Sequence, residues 1–232
     1  MDSLSAAIDA IPNTGPLAVA FSGGVDSSAL LLALVQRRDR LAREAHTQPL
    51  VVHALHVHHG LQPAADAFVA HVEQRCAAWR VPLRVLRIDA RNGPGESPEA
   101  AARDARYAAL VEGARAQSCT RVLVAQHADD QAETVMLALS RGAGLPGLAA
   151  MPSQFMRQGL LFERPLLALT RAQLAGWLQA QGEKAIEDPT NGDAQRTRNR
   201  LRAGAMAALQ RDFPGFQARF ARSARHAAEA AG

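Results

Sequence analysis

Eight residues constrain this chain more than any other stretch: Phe21-Ser22-Gly23-Gly24-Val25-Asp26-Ser27-Ser28. The apolar run Leu17 to Phe21 reads as a short buried strand and Ser28 to Val35 as a helix, so Ser-Gly-Gly is the turn between them. Two glycines let the backbone close on an anion, Ser22 and Ser27 add hydroxyls, and the free N–H groups of the helix's first turn point at whatever sits there. A carboxylate at Asp26 would repel bound phosphate unless a divalent cation lay between them, so a nucleotide with Mg²⁺ is the economical reading. The competing reading is a plain strand-to-helix turn with Asp26 at or near the N-cap, worth about 1 kcal/mol. No Gly-Lys-Ser/Thr follows the first glycine at the Walker interval and no Gly-x-Gly-x-x-Gly is present, which removes the two commoner phosphate loops.

The octet belongs to an alternating pattern. Leu50 to Val57, Val81 to Ile88 and Arg121 to Gln126 read as further strands, with helical patterns over 64–80 and 98–117 between them. The pattern implies an α/β fold with a doubly wound, mostly parallel sheet, whose strand C-terminal ends line one edge where ligands bind. A chain of 232 residues, 48% hydrophobic, can bury one such core with a small C-terminal helical extension. Nowhere are there eighteen consecutive apolar residues and Met1 to Pro12 lack a sustained apolar run, so a soluble, unexported, cytoplasmic protein is expected, with no membrane partner. Cys76 and Cys119 form no Cys-x-x-Cys, which fits a reducing compartment and argues against a zinc or iron–sulfur site.

Two strand ends carry unusual chemistry. The second strand runs into His56-Val57-His58-His59-Gly60-Leu61, with His56 and His58 on one face; without a local carboxylate the cluster suits contact with adenine or substrate, or a capped turn, better than zinc. The fourth runs into Gln126-His127-Ala128-Asp129-Asp130-Gln131-Ala132-Glu133-Thr134, where Asp130 opens a helix and Glu133 follows one turn on, on the same side. The helix dipole alone would favour those carboxylates, by roughly 0.3–1 kcal/mol, but does not account for His127 beside them.

Ser97, Pro98 and Glu99 start the third helix, which presents Glu99, Arg103 and Arg106 on one face, either as a surface ion pair or as guanidinium forks for phosphate. Arg141 to Leu148, with three glycines and a proline, reads as a mobile loop. Glu163 to Leu167 reads as a short extended end of the core, Thr170 caps a helix with Leu174, Trp177 and Leu178 as its stripe, and Glu187 to Asn191 is a turn. Residues 196–232 hold eight arginines against Asp212 and Glu229, while residues 1–195 hold 18 basic and 20 acidic side chains. A basic tail on a nearly neutral body suggests a polyanion such as RNA, or else a solvated helix face.

Ser22 to Ser27 resembles the Ser-Gly-Gly-x-Asp-Ser signature of the PP-loop ATP pyrophosphatases. With His56 to Leu61, Glu99 to Tyr107, His127 to Thr134, Arg141 to Leu145, Arg164-Pro165-Leu166-Leu167, Asp188 to Asn191 and Arg198-Asn199-Arg200, the chain resembles the bacterial tRNA(Ile)-lysidine synthetase family over about residues 20–202. The resemblance implies an adenine nucleotide α-hydrolase-like catalytic domain over 1–168 and a basic helical extension over 169–232 that contacts tRNA. It implies a ligase that uses ATP to adenylate the wobble cytidine of tRNA(Ile) with anticodon CAU, then joins free L-lysine and releases AMP and pyrophosphate. Carried over by motif, Ser22, Gly23, Gly24, Val25, Asp26 and Ser27 hold the ATP phosphates and Asp26 the Mg²⁺. Asp26, Arg103, His127 and Asp130 line the reaction centre, with His127 or Asp130 taking the lysine proton. His58, Arg106, Glu133, Arg198 and Arg200 contact substrate or tRNA. Many members of that family continue into further C-terminal domains, whereas this chain ends at Gly232. A sulfur-inserting tRNA enzyme of the same superfamily and a non-catalytic nucleotide-binding module are the alternatives.

Overall fold

The computed structural model describes residues 2–44, 47–58, 64–88, 98–186 and 197–231; His59, Gly60, Leu61, Ser97, the turn at 187–191 and Arg196 lie outside them, as does the side chain of Glu99. One sheet is built from β1 (Leu17–Ala20), β2 (Val52–His58), β3 (Leu83–Arg87), β4 (Arg121–Leu123), β5 (Gln154–Arg157) and β6 (Leu160–Glu163) in the order β3-β2-β1-β4-β6-β5. Every neighbouring pair is parallel except β5 with β6. The expected doubly wound, mostly parallel sheet is what forms.

The helices are α1 (Ser3–Asp9), α2 (Val25–Leu41), α3 (Ala64–Ala78), α4 (Pro98–Arg115), α5 (Ala128–Leu139), α6 (Leu145–Leu148), α7 (Arg171–Ala180), α8 (Thr197–Leu201), α9 (Ala207–Asp212) and α10 (Phe216–Ala231), with a π-helical turn, Arg202–Met206, joining α8 to α9. Strand residues alternate between two cores, as the period of two requires. Leu17, Val19 and Phe21 pack with α1, α2, Val72 and Cys76 of α3, and Leu174 and Leu178 of α7. Ala18 and Leu55 pack on the opposite face with Tyr107, Leu110, Val111 and Ala114 of α4 and Phe162 of β6. A third cluster joins Ala132 of α5 to Met206 and Phe216 of the C-terminal helices.

Several local expectations are corrected. Helix α2 starts at Val25 rather than Ser28, because Gly24 is already its extended N-cap, and so Asp26 and Ser27 sit in the first turn. Strands β3 and β4 are shorter than the apolar runs that announce them. The expected extension over Glu163 to Leu167 is instead the end of β6 followed by a turn. Arg141 to Leu148 closes in a short helix, α6, with Pro146 in its first turn. The β5–β6 hairpin was not legible: its turn is Gln158-Gly159, both at positive φ (47° and 77°), a geometry usually announced by Asn-Gly or Asp-Gly. The buried Arg121 guanidinium grips Glu163 with Nε 2.5 Å from Oε1 and Nη2 3.0 Å from Oε2, tying β4 to β6.

Candidate active site

Chain order sets where a ligand can enter. The chain lays down β1, β2 and β3 in one direction and then places β4 on the far side of β1, so crossovers diverge between β1 and β4 and leave a crevice at their C-terminal ends. The two segments at that crevice are Ser22 to Ser27 and His127 to Asp130.

The first segment is wired internally. The Ser27 hydroxyl accepts from the Ser22 N–H (3.2 Å), lies 3.0 Å from the Ser22 hydroxyl and faces the Gly24 carbonyl at 3.1 Å; Ser28 Oγ donates to the Gly23 carbonyl (3.3 Å). Gly23 has φ +84°, and a Cβ there would lie 3.0 Å from Val72 Cγ1 and 3.1 Å from His71 Cδ2, so the turn needs glycine for both conformation and space. No side chain caps α2 at Gly24, which leaves its N-terminal N–H groups for an anion.

Asp26 meets the second segment. Its Oδ2 lies 3.5 Å from His127 Nε2, and Arg171 Nε stands off at 3.9 Å from Oδ1. Oδ1 is buried and accepts no hydrogen bond among the described residues. His127, 4% exposed, is the extended N-cap of α5, and its N–H donates to Asp130 Oδ2 (3.0 Å). Its Nε2 is also 3.5 Å from Asp130 Oδ2, and its Nδ1 is 3.4 Å from Asp129 Oδ2. Burial works to strip the ring of its proton, but the Asp129, Asp26 and Asp130 carboxylates outweigh it and push the imidazole up to about 10. In the neutral ring Nδ1 would instead accept from the Asp129 N–H at 3.3 Å, so in either form Nε2 carries a hydrogen and faces Asp26 and Asp130.

One turn further along α5, Glu133 is 1% exposed. Burial raises its carboxyl against the pull of Arg202 and Arg198 from the C-terminal helices. Arg202 Nε bonds Glu133 Oε1 while its Nη2 reaches Asp130 Oδ1 at 3.6 Å, and Arg198 Nη1 is 3.4 Å from Glu133 Oε2. The result is an acidic centre, Asp26, Asp129, Asp130 and Glu133, rimmed by Arg171, Arg198 and Arg202. Among the described residues no three His, Cys, Asp or Glu side chains could hold a metal ion by themselves. A divalent ion at the open Asp26 oxygen would therefore take phosphate or water oxygens as its other ligands, the usual habit of Mg²⁺.

Residues 3–209 match the PP-loop domain family. The chain belongs to that family. It is 55% identical over 215 residues to the tRNA(Ile)-lysidine synthase of Polaromonas naphthalenivorans, covering 93% of this chain and 62% of that one. With the proteins of the same name from Pseudomonas putida and Burkholderia mallei it shares 48% and 43% identity, covering 92% and 99% of this chain but only 48% and 45% of theirs. The chain thus spans about half to three-fifths of the length of these curated relatives. Among solved structures it resembles the U34-tRNA thiolase NcsA from Methanococcus maripaludis, with TM-score 0.79 at 14% identity over 97% of this chain and 78% of that one, a likeness of fold.

Of the PP-loop site residues read from sequence, the fold gathers Ser22, Gly23, Gly24, Val25, Asp26, Ser27, His127, Asp130 and Glu133 at one crevice. His58, 7% exposed, ends β2 with Nε2 3.4 Å from Asp66 Oδ1, and His56 is tied back to the Phe21 carbonyl at 2.9 Å, with burial holding its imidazole down. Arg103 and Arg106 lie on α4 beside Tyr107, 5.8 and 5.9 Å from its ring centroid. Arg198 turns inward to Glu133, while Arg200 reaches Thr197 Oγ1 at 3.4 Å. Sequence reasoning missed Arg171, and it took Asp129 only as the neighbour of Asp130 at a helix start and Arg202 only as one of the basic tail's arginines. Arg202 stands four residues after Arg198 and so shares its helix face, a usable signal. Nothing local marks Arg171, whose N–H also donates to Asp129 Oδ2 (2.8 Å).

Proposed function

We propose that this chain carries the ATP-using, base-modifying centre of a tRNA(Ile)-lysidine synthase. ATP adenylates the 2-keto oxygen of the wobble cytidine in a CAU anticodon, pyrophosphate leaves, and the neutral ε-amine of free L-lysine displaces AMP. The observation that carries this reading is the pairing of the uncapped Ser22–Ser27 turn with Asp26, whose Oδ1 is buried and unbonded among the described residues while its Oδ2 faces His127. The high identity to proteins of that name supports it.

Backbone N–H groups at the start of α2 would receive phosphate oxygens, with Ser22 and Ser27 shaping the turn. Mg²⁺, held by Asp26, would neutralise phosphate charge as the α–β bond breaks. His127, hydrogen-bearing at Nε2, orients Asp26 and Asp130 and stands as a donor. The lysine ε-amine, near pKa 10.4 in water, must lose a proton to attack, and Asp130 is the acceptor left for it. Arg103 would line the same centre, with Arg106, His58 and Glu133 on the substrates. The helical part from residue 169, with its arginines, would contact the tRNA, and the protein would work in the cytoplasm; among the described residues no helix is long and apolar enough to cross a membrane.

Sulfur insertion gains no support from the cysteines. Cys76 and Cys119 lie in the cores on opposite faces of the sheet, and burial pushes their thiols up to about 12 and about 11, so neither offers a thiolate. The test is incubation with ATP, Mg²⁺, labelled lysine and CAU-anticodon tRNA(Ile) transcript. AMP, pyrophosphate and labelled tRNA are expected. ADP as product, or no lysine transfer while a sulfur donor is used, overturns the reading.

A further inference from the structure

Arg164-Pro165-Leu166-Leu167 stands out in the sequence and has no part in the chemistry above. In the fold Arg164 leaves the C-terminal end of β6 and is only 4% exposed. Its Nε donates to Gln126 Oε1 (2.9 Å), its Nη1 to the Pro152 carbonyl (2.7 Å), and its guanidinium lies 4.2 Å from the Phe155 ring centroid. The Tyr107 side chain lies against both Gln126 and Arg164. All these partners are neutral, and among the described residues no carboxylate pairs with Arg164. Around the same buried tyrosine stand Arg103, Arg106 and Arg157, at 5.8, 5.9 and 4.7 Å from its ring centroid. Among the described residues only Arg157 of these three has an acid, Asp104 at 2.8 Å. Gln126 adjoins His127, so this cationic cluster opens beside the crevice.

Burying the Arg164 guanidinium is costly unless a counter-charge completes it, and among the described residues Arg103, Arg106 and Arg164 gather around Tyr107 without one. Burial, with the Arg103 charge nearby, holds Arg164 below the usual guanidinium range. An arriving anion reverses both costs, and planar forks suit a carboxylate or a phosphate. Arg164 is fixed by its hydrogen bonds and its aromatic neighbour, whereas Arg103 and Arg106 are exposed and free to close on a ligand.

We propose that Arg103, Arg106 and Arg164, gathered around Tyr107, form a second anion subsite, separate from the Gly-Gly turn, for a carboxylate or phosphate group borne by a substrate. The subsite extends the function proposed above by giving a substrate anion a place, but its test reads binding rather than turnover, so the two can fail separately. Calorimetric titration of the whole chain with pyrophosphate, with lysine and with cadaverine, which is lysine without its carboxylate, distinguishes the sources. Arg103→Ala and Arg106→Ala lie on an exposed helix face and should fold; Arg164→Gln serves as a third variant if its melting curve stays cooperative. Each should weaken the bound anion by about tenfold to a hundredfold, the range for a lost charge-assisted contact. Arg103→Lys should restore part of that loss. Loss for lysine, with cadaverine binding no better to wild type than to the variants, assigns the carboxylate; loss for pyrophosphate that persists in an Asp26→Asn background assigns a phosphate. Unchanged affinity for both anions in Arg103→Ala and Arg106→Ala overturns the subsite.

Discussion

At the scale of single residues, Asp26 and His127 differ in what their neighbours leave undone. Asp26 keeps one oxygen buried and unbonded, so Asp26→Asn should leave the fold intact, with a melting temperature near wild type. AMP formation should fall by on the order of a hundredfold or more if that oxygen holds the metal. His127 is the reverse case, held charged by Asp129, Asp26 and Asp130 to about 10. Its folded value lies above the unfolded 6.5, so its contribution is fully present below pH 6.5 and is lost as pH rises through about 10. Urea midpoints measured without Mg²⁺ between pH 7 and 10 should therefore fall more steeply for wild type than for His127→Gln. Parallel pH curves would mean that the imidazole is neutral, with Nδ1 accepting from the Asp129 N–H.

At the scale of elements, the β1–α2 turn and the α5 N-terminus were legible because each is specified by its own few residues. Ser-Gly-Gly has one economical conformation at a strand-to-helix junction, and Gly23→Ala, forced into φ +84° against Val72 and His71, should cost about 1–3 kcal/mol in a urea titration. His127 and Asp130 were readable for the same reason, being cap and third residue of one helix. The hairpin and the rim of arginines were not. Arg202 bonds a carboxylate 69 positions earlier and the Arg171 N–H one 42 earlier, and only the completed sheet brings such pairs together. Arg198 has a partner that the sequence does not announce: the buried Glu133 lies 3.4 Å from its Nη1. The short helix α8 therefore depends on Glu133. Glu133→Ala should free Arg198 and Arg202 together and speed amide hydrogen exchange over 197–206, while the sheet strands keep their protection.

At the scale of the whole molecule, the division between fold and polyanion binding can be located among the tail's arginines. Arg198 and Arg202 are engaged with the acidic centre, Arg211 pairs with Asp212, and Arg225 lies 3.7 Å from Glu229. Arg219 and Arg222 on α10 are exposed and, among the described residues, face no carboxylate. The buried side of α10, Phe216, Ala224 and Ala227, meanwhile packs the helix down, and Phe220, Ala224 and Ala227 line an apolar cleft beside Val135 and Leu148. Its charged face is thus held in one orientation relative to the crevice. If RNA approaches the centre across this surface, neutralising phosphates there releases counterions, and each lost contact lowers the log–log salt slope by about 0.7–0.9. Arg219→Ala with Arg222→Ala should reduce that slope by somewhat under two units while leaving the melting temperature unchanged. Arg198→Ala should do the opposite, lowering stability by about 1–3 kcal/mol through the half-paired Glu133 and changing the slope little. Filter-binding of tRNA across a salt series, with urea titrations of the same proteins, separates the two classes. A slope that falls for Arg198→Ala but not for the α10 pair would put the RNA path over the acidic centre instead.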